Sequence, residues 1–331
     1  MPNDPALNAD TCIYMEAIQG DRGVHNGNDT WWLSPDIKLT GPISGLDKAD
    51  PGHDNTVDVT FHMQAAILNE CILPAGTESI SVEFWVGNPS LAMTPDNPAS
   101  TKKINAIGSP IPADGASVTK TFVWNPPTGL DPADPQSSGH KCLIARCYPD
   151  PLVPSTTSFF VPDDQHVAQH NICIVPCGGP GAARRPGPCG FEVATLNPDR
   201  ERAQRATLRA IVDLHPSKFV ERVVLERLKG THGFKRLATR PPQGFSFELR
   251  DFPRAEVTDN TKPGCLGVLF GSKDQRSYDA QIEFKPGQFT RFSFTADLSG
   301  AELGDAYIFH LRQIGADKRD QGGLTIVMVA V

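Results

Sequence analysis

No stretch of these 331 residues is apolar over the roughly 20 positions that a membrane-crossing helix needs. The longest apolar run is the closing segment near Leu324–Val331. A membrane-spanning helix is therefore not expected. The opening Met1-Pro-Asn-Asp-Pro-Ala6 has neither a basic nor an apolar region, so no secretory leader is expected either. Also missing are a Gly-x-Ser-x-Gly elbow, a His-Glu-x-x-His pair and a glycine loop opening a helix. Without them there is no sign of a catalytic triad, a zinc protease or a nucleotide site, and the expectation is that the chain is not an enzyme. The basic residues form no run interleaved with aromatics, so nucleic acid is not an expected partner.

Glycine (29) and proline (30) are abundant and apolar residues make up 39%, which suits many short strands joined by turns around modest cores. Period-two alternation marks strands with one buried face. It runs through Val57–Met63, Ile80–Val86 and Ser117–Trp124, and strands are also read at Lys141–Cys147 and Asn171–Val175. Two tryptophans before a Ser-Pro-Asp turn lead into a first strand with Ile37 and Leu39. In the second half, Ala206–Leu214, Phe245–Leu249, Cys265–Phe270, Ala280–Phe284, Arg291–Phe294, Ala306–Gln313 and Leu324–Val331 are read as strands. One segment breaks the pattern. Apolar residues at 219, 220, 223, 224 and 228 form a helical stripe, with Pro216 suited to the first turn and Gly230 to the stop.

The fold class expected is all-β: two β-sandwich domains with one short helix in the second. Residues 1–30 are read as an irregular segment and 31–177 as the first sandwich. The Gly/Pro-rich 178–189 is a linker, and 190–331 the second sandwich.

The first sandwich resembles the immunoglobulin-like modules of bacterial surface and exported proteins. The resemblance rests on Trp32-Leu-Ser-Pro-Asp-Ile37, His140-Lys-Cys-Leu-Ile-Ala-Arg146 and Asp164-Gln-His-Val-Ala-Gln-His-Asn-Ile172. It implies an adhesion or spacer role. The second rests on Phe284–Phe294 with its Pro-Gly turn, Gly304-Asp-Ala-Tyr-Ile-Phe-His-Leu-Arg-Gln313 and Gly322–Val331, and resembles the last third of a cupredoxin domain. Such domains hold copper through a Cys after the Tyr-x-Phe-His strand. Here that position is Leu311, so the resemblance implies the frame without the metal, and copper is not expected.

Cysteine is even in number at eight. In an oxidising compartment Cys142 with Cys173 and Cys177 with Cys189 are conceivable disulfides, although connectivity cannot be read from sequence. The run His166, His170, Cys173, Cys177 has zinc-like spacing but sits in one loop-to-strand join, and surface histidines in a turn with cysteines packed or exposed are the favoured reading. Asp47, Asp50, Asp54 and Asp58 crowd one segment and are the candidate ligands for calcium; otherwise no cofactor is expected. Trp31, Trp32 and Trp85 are candidate stacking platforms for a glycan or another ligand.

Charge divides the chain. Residues 1–177 carry 8 Lys+Arg against 20 Asp+Glu, a net of −12, whereas residues 178–331 carry 23 against 18, a net of +5. Opposite halves attract each other, within one chain or between copies, and between copies the contact is head-to-tail. The function expected is therefore a structural or adhesive protein that self-assembles as a homo-oligomer or docks on a surface glycan or protein. The alternative is a glycan- or ligand-binding module using exposed tryptophans. An extracellular or cell-surface location reached without a leader is favoured over the cytoplasm. The apolar strand at the end is read as an exposed closing segment, either held in a sheet or donated to a neighbour.

Overall fold

The computed structural model describes residues 12–25, 30–41, 52–65, 71–88, 90–95, 101–128, 141–154, 159, 161–178, 186–249 and 276–331. Two compact units divide the chain. The first comprises 1–44, 48–88 and 93–171, and the second 45–47, 89–92 and 172–331. Both are built of β-sheets, nearly all antiparallel, that form sandwich-like layers, and a single helix lies in the second among the described residues.

The first unit holds β1 (Ile13–Tyr14), β2 (Ile37–Thr40), β3 (Asn55–Met63), β4 (Ser79–Gly87), β5 (Thr101–Ser109), β6 (Ser117–Trp124), β7 (Cys142–Asp150) and β8 (Val167–His170). One sheet centres on β3. Its partners are β6 on one side, and β2 and β1 on the other. The second sheet runs β5-β4-β7-β8. The strict alternation in β3 sends Val57, Val59, Phe61 and Met63 into the core and leaves Thr56, Asp58, Thr60 and His62 on the outer face. From the other sheet Ile80, Val82, Phe84 and Val86 of β4 join the same core. Phe84 and Phe122 meet within it at 5.5 Å between ring centroids.

The outer face of β4 carries a buried ion cluster. Arg146 Nε and Nη2 donate to Glu83 Oε2 at 3.0 and 2.7 Å, Tyr148 Oη donates to Oε1 at 3.2 Å, and Lys103 Nζ also reaches Oε1. Burial pushes the Glu83 carboxyl up, but the Arg146 charge and the Lys103 and Arg146 hydrogen bonds outweigh it and hold the group below its ordinary value.

The second unit holds β9 (Ile172–Cys177), β10 (Pro188–Leu196), β11 (Gln204–Asp213), α1 (Lys218–Leu228), β12 (Arg236–Leu237), β13 (Gly244–Leu249), β14 (Ser277–Phe284), β15 (Phe289–Asp297), β16 (Asp305–Gly315) and β17 (Asp320–Ala330). A three-stranded sheet runs β10-β15-β13. The larger sheet runs β14-β11-β16-β17-β9, with β12 added in parallel to β16. The core between them is aromatic: Phe245, Phe294 and Phe309 lie 5.0–6.1 Å apart. Contacts of this kind add about 0.5–1.5 kcal/mol each beyond burial. The expected helix forms, with Ser217 as its N-cap accepting from the Val220 N–H, and Val220, Val224 and Leu228 buried. Gly230 stops it at φ 81°, a conformation glycine adopts without strain.

Several expectations change. Asn171–Val175 was read as belonging to the first sandwich, but Ile172–Cys177 pairs in parallel with β17 and belongs to the second unit. Its buried apolar run suits either sheet, so only pairing decides. The Pro286-Gly287 turn joins β14 to β15. β14 pairs with β11, β15 pairs with β10 and β13, and the turn carries the chain from one sheet to the other. The closing segment is not exposed: β17 lies between β16 and β9 and is almost wholly buried. Part of the expected linker, Pro188 and Cys189, opens β10; residues 179–185 lie outside the described residues, as does the strand expected at Cys265–Phe270.

Candidate functional site

Four side chains from three separate segments meet at one corner of the first unit. Tyr14 stands opposite His62 in the β1–β3 register, and their rings stack at 5.0 Å and 20°. Asp36 ends the Ser34-Pro35-Asp36 turn just before β2, and its backbone carbonyl accepts from the Thr60 N–H at 2.9 Å. That bond fixes the turn against β3 and brings the carboxylate under His62. Nε2 of His62 then lies 3.0 and 2.9 Å from the two oxygens of Asp36. The other ring nitrogen, Nδ1, lies 2.7 Å from Ser117 Oγ across the β3–β6 pair.

Glu16 completes the group. Its N–H donates to Asp36 Oδ2 at 2.6 Å, and its Oε2 accepts from the Gly20 N–H at 2.9 Å. Ser34 Oγ donates to the Glu16 carbonyl at 2.5 Å, while the Asp36 N–H donates to Ser34 Oγ at 3.1 Å. Nearby Asp21 accepts from the N–H groups of Ala17, Ile18 and Gly23. One atom from each of Glu16, Asp36 and His62 lies within 4.8 Å of the other two.

Burial pushes the Glu16 carboxyl up, against the Gly20 N–H and with the Asp36 charge. Asp36 is raised too, because its burial outweighs the pull of His62. His62 is also raised: burial acts against its charged form, but the bond to Asp36 and the charges of Asp36, Glu16 and Asp21 prevail. The corner thus holds an excess of carboxylate over cationic groups. It can anchor a positive charge, and an imidazole with two carboxylates is a donor set that a metal ion can use.

The residues singled out from the sequence lie elsewhere. Trp31, Trp32 and Trp85 are buried at 1%, 1% and 8% exposure, which corrects the stacking-platform reading. Trp31 meets Trp32 edge to face, and Trp85 meets Phe159 in the same way. Asp47 and Asp50 lie outside the described residues. Asp54 is exposed, and Asp58 accepts from Thr121 Oγ1 at 2.6 Å on the outer face of β3.

Cys177 and Cys189 are joined in a disulfide that links β9 to β10. The pairing of Cys142 with Cys173 is corrected. Both are buried, Cys142 opposite Gly87 in the β4–β7 pair and Cys173 opposite Ile326 in the β9–β17 pair, in different sheets of different units. A second disulfide, Cys12–Cys71, has no local signal in the sequence. The zinc-like run disperses as well, and its histidines are buried rather than on the surface: His166 Nδ1 bonds Asp164 at 2.9 Å and His170 Nδ1 bonds the Ser34 carbonyl at 3.0 Å.

At the position resembling a copper strand, His310 and Leu311 face opposite ways. Leu311 enters the core. His310 Nε2 lies 3.1 Å from Asp213 and Nδ1 lies 3.0 Å from Thr325 Oγ1. Burial raises the Asp213 carboxyl, but the His310 bond and charge and the His215 N–H more than offset it and leave it below its ordinary value.

No protein-family model and no curated protein matches the chain. Among solved structures, red sea bream transglutaminase is 9% identical with a TM-score of 0.20, over 89% of this chain and 31% of that one. The chain thus spans about a third of that enzyme's length. A mutant of the enterotoxigenic E. coli adhesin CfaE is 9% identical with a TM-score of 0.22, over 98% and 94% of the two chains. Similarity at this level carries no argument about function.

Proposed function

We propose that the chain is a non-catalytic structural or adhesive protein, built of an immunoglobulin-like module and a copper-free cupredoxin-like module. It assembles with copies of itself or docks on a surface partner through strand edges. The observation that carries this reading is the consecutive pair β5 and β6. Each is eight or nine residues long, and among the described residues each pairs on one side alone, β5 with β4 and β6 with β3. The outer face of β6 presents Ser117, Thr119, Thr121 and Val123, small and uncharged, with Val123 58% exposed. A long strand edge with such a face is a template for strand addition. The charge difference between the halves of the chain supports ordered, head-to-tail contacts. Two disulfides support an oxidising, extracellular setting.

The test is an edge-blocking variant. The Ala106 N–H of β5 donates to Asn105 Oδ1 at 2.8 Å, so it is not needed by β4. In Ala106→Pro the bulk of the ring at the edge obstructs an incoming strand there while sparing the fold. The expected result is a smaller particle by light scattering with unchanged circular dichroism. An unchanged particle size, or a wild-type chain that is monomeric throughout, contradicts edge-mediated assembly.

A further inference from the structure

We infer that Glu16, Asp36 and His62 form a binding site for one zinc ion. The donor set favours that metal class: an imidazole nitrogen with two carboxylates suits Zn²⁺ and its first-row neighbours, whereas Ca²⁺ and Mg²⁺ take oxygen ligands. The spacing suits it too. Ligand atoms on a tetrahedral ion with bonds of about 2.1 Å sit about 3.4 Å apart, and the three donors here lie within 4.8 Å of one another. A contraction of at most about 1.4 Å closes the set, within the reach of the three-bond Glu16 side chain.

The surroundings are those of a held site. Metal-binding histidines are oriented by a partner on the second ring nitrogen. Ser117 Oγ at 2.7 Å from Nδ1 fills that place and leaves Nε2 directed at the two oxygens of the Asp36 carboxylate. The stacked Tyr14 ring fixes the imidazole plane. Backbone amides orient the carboxylates, Glu16 N–H on Asp36 Oδ2 and Gly20 N–H on Glu16 Oε2, and an ion would take the place of the proton between His62 Nε2 and Asp36. Asp21 adds negative charge without occupying the site, because its oxygens serve the amides of Ala17, Ile18 and Gly23. An ion here ties the β1 segment and the Ser34–Asp36 turn to β3, with a fourth coordination position open to water.

The experiment is a titration of the full chain with Zn²⁺ against a chromophoric chelator, for wild type, Glu16→Gln, His62→Gln and Ser117→Ala. The wild type is expected to take up one equivalent. Loss of Glu16 or His62 should weaken that binding more than about 10-fold, and loss of Ser117 by about 10-fold. Zinc should also raise the unfolding midpoint of wild type, and not of Glu16→Gln, a change at a half-buried side chain that keeps the fold measurable if His62→Gln does not fold. A wild type that binds no zinc, or binds it no tighter than Glu16→Gln, overturns the site. Full displacement of zinc by equimolar Ca²⁺ overturns the metal class.

Discussion

Removing the two disulfides separately should destabilise different units by different amounts. Cys12–Cys71 closes a loop with a sequence separation of 59 in the first unit, and Cys177–Cys189 one of 12 in the second. In the chain-entropy view a cross-link acts by restricting the unfolded chain, with a stabilisation that grows with the logarithm of loop length. It comes to about 4 kcal/mol for the longer loop and about 3 kcal/mol for the shorter. The two effects can be read apart because all four tryptophans, Trp31, Trp32, Trp85 and Trp124, lie in the first unit. Tryptophan fluorescence reports that unit, whereas far-ultraviolet circular dichroism reports both. In urea, with a slope of about 2 kcal/mol per M, the Cys12→Ser/Cys71→Ser variant should lower the fluorescence midpoint by about 2 M. The Cys177→Ser/Cys189→Ser variant should leave fluorescence in place and lower a transition seen by dichroism alone by about 1.5 M. A fluorescence midpoint that moves with the second pair, or stays put with the first, refutes the reasoning.

Three further predictions concern buried positions. Arg146→Met leaves Glu83 buried with its strongest partner gone and should cost the first unit about 3 kcal/mol in the fluorescence-detected transition. Because the folded Glu83 carboxyl is held below its ordinary 4.5, its contribution is complete above about pH 4.5 and fades as the pH falls through the lower folded value. Glu83→Gln should therefore flatten the acid limb of that unit's stability curve, and an unchanged limb would show that Glu83 does not control it. In the second unit a Cβ at Gly322 would sit 0.8 Å from the Leu91 carbonyl oxygen, a backbone atom that cannot step aside. Gly322→Ala should cost about 3 kcal/mol in the dichroism-only transition, with no cost expected only if that close approach is wrong.

Much of the fold was legible because burial imposes a period. Val57–Met63 and Ser117–Trp124 alternate, and both are strands over those residues. The stripe at 219–228 is helical for the same reason. β5 was not legible, since Thr101-Lys-Lys-Ile-Asn-Ala-Ile-Gly-Ser109 is a largely exposed strand with no apolar period to show it. β10 opens Pro-Cys-Gly, which reads locally as linker, and only pairing with β15 makes it a strand. Tryptophans at or beside strands suggested exposed platforms, but the large rings of Trp31, Trp32 and Trp85 are buried instead.

The corner of Glu16, Asp36 and His62 was missed altogether. Its one local signal is a histidine on the polar side of an alternating strand, at a position otherwise held by Thr and Asp. Nothing in the chain order couples that histidine to the Ser-Pro-Asp turn or to Glu16. The β1–β3 and β2–β3 registers do so, and registers are set by whole-sheet packing.

The measurement that tests the central claim most directly is particle size against salt. Light scattering and electron microscopy would follow the purified chain from about 0.05 to 1 M NaCl, over which the screening length falls from more than 10 Å to about 3 Å. Assembly between an acidic and a basic half predicts rods, rings or fibres at low salt that dissolve into single chains at high salt. A monomer of one size at every salt would contradict a self-assembling structural role.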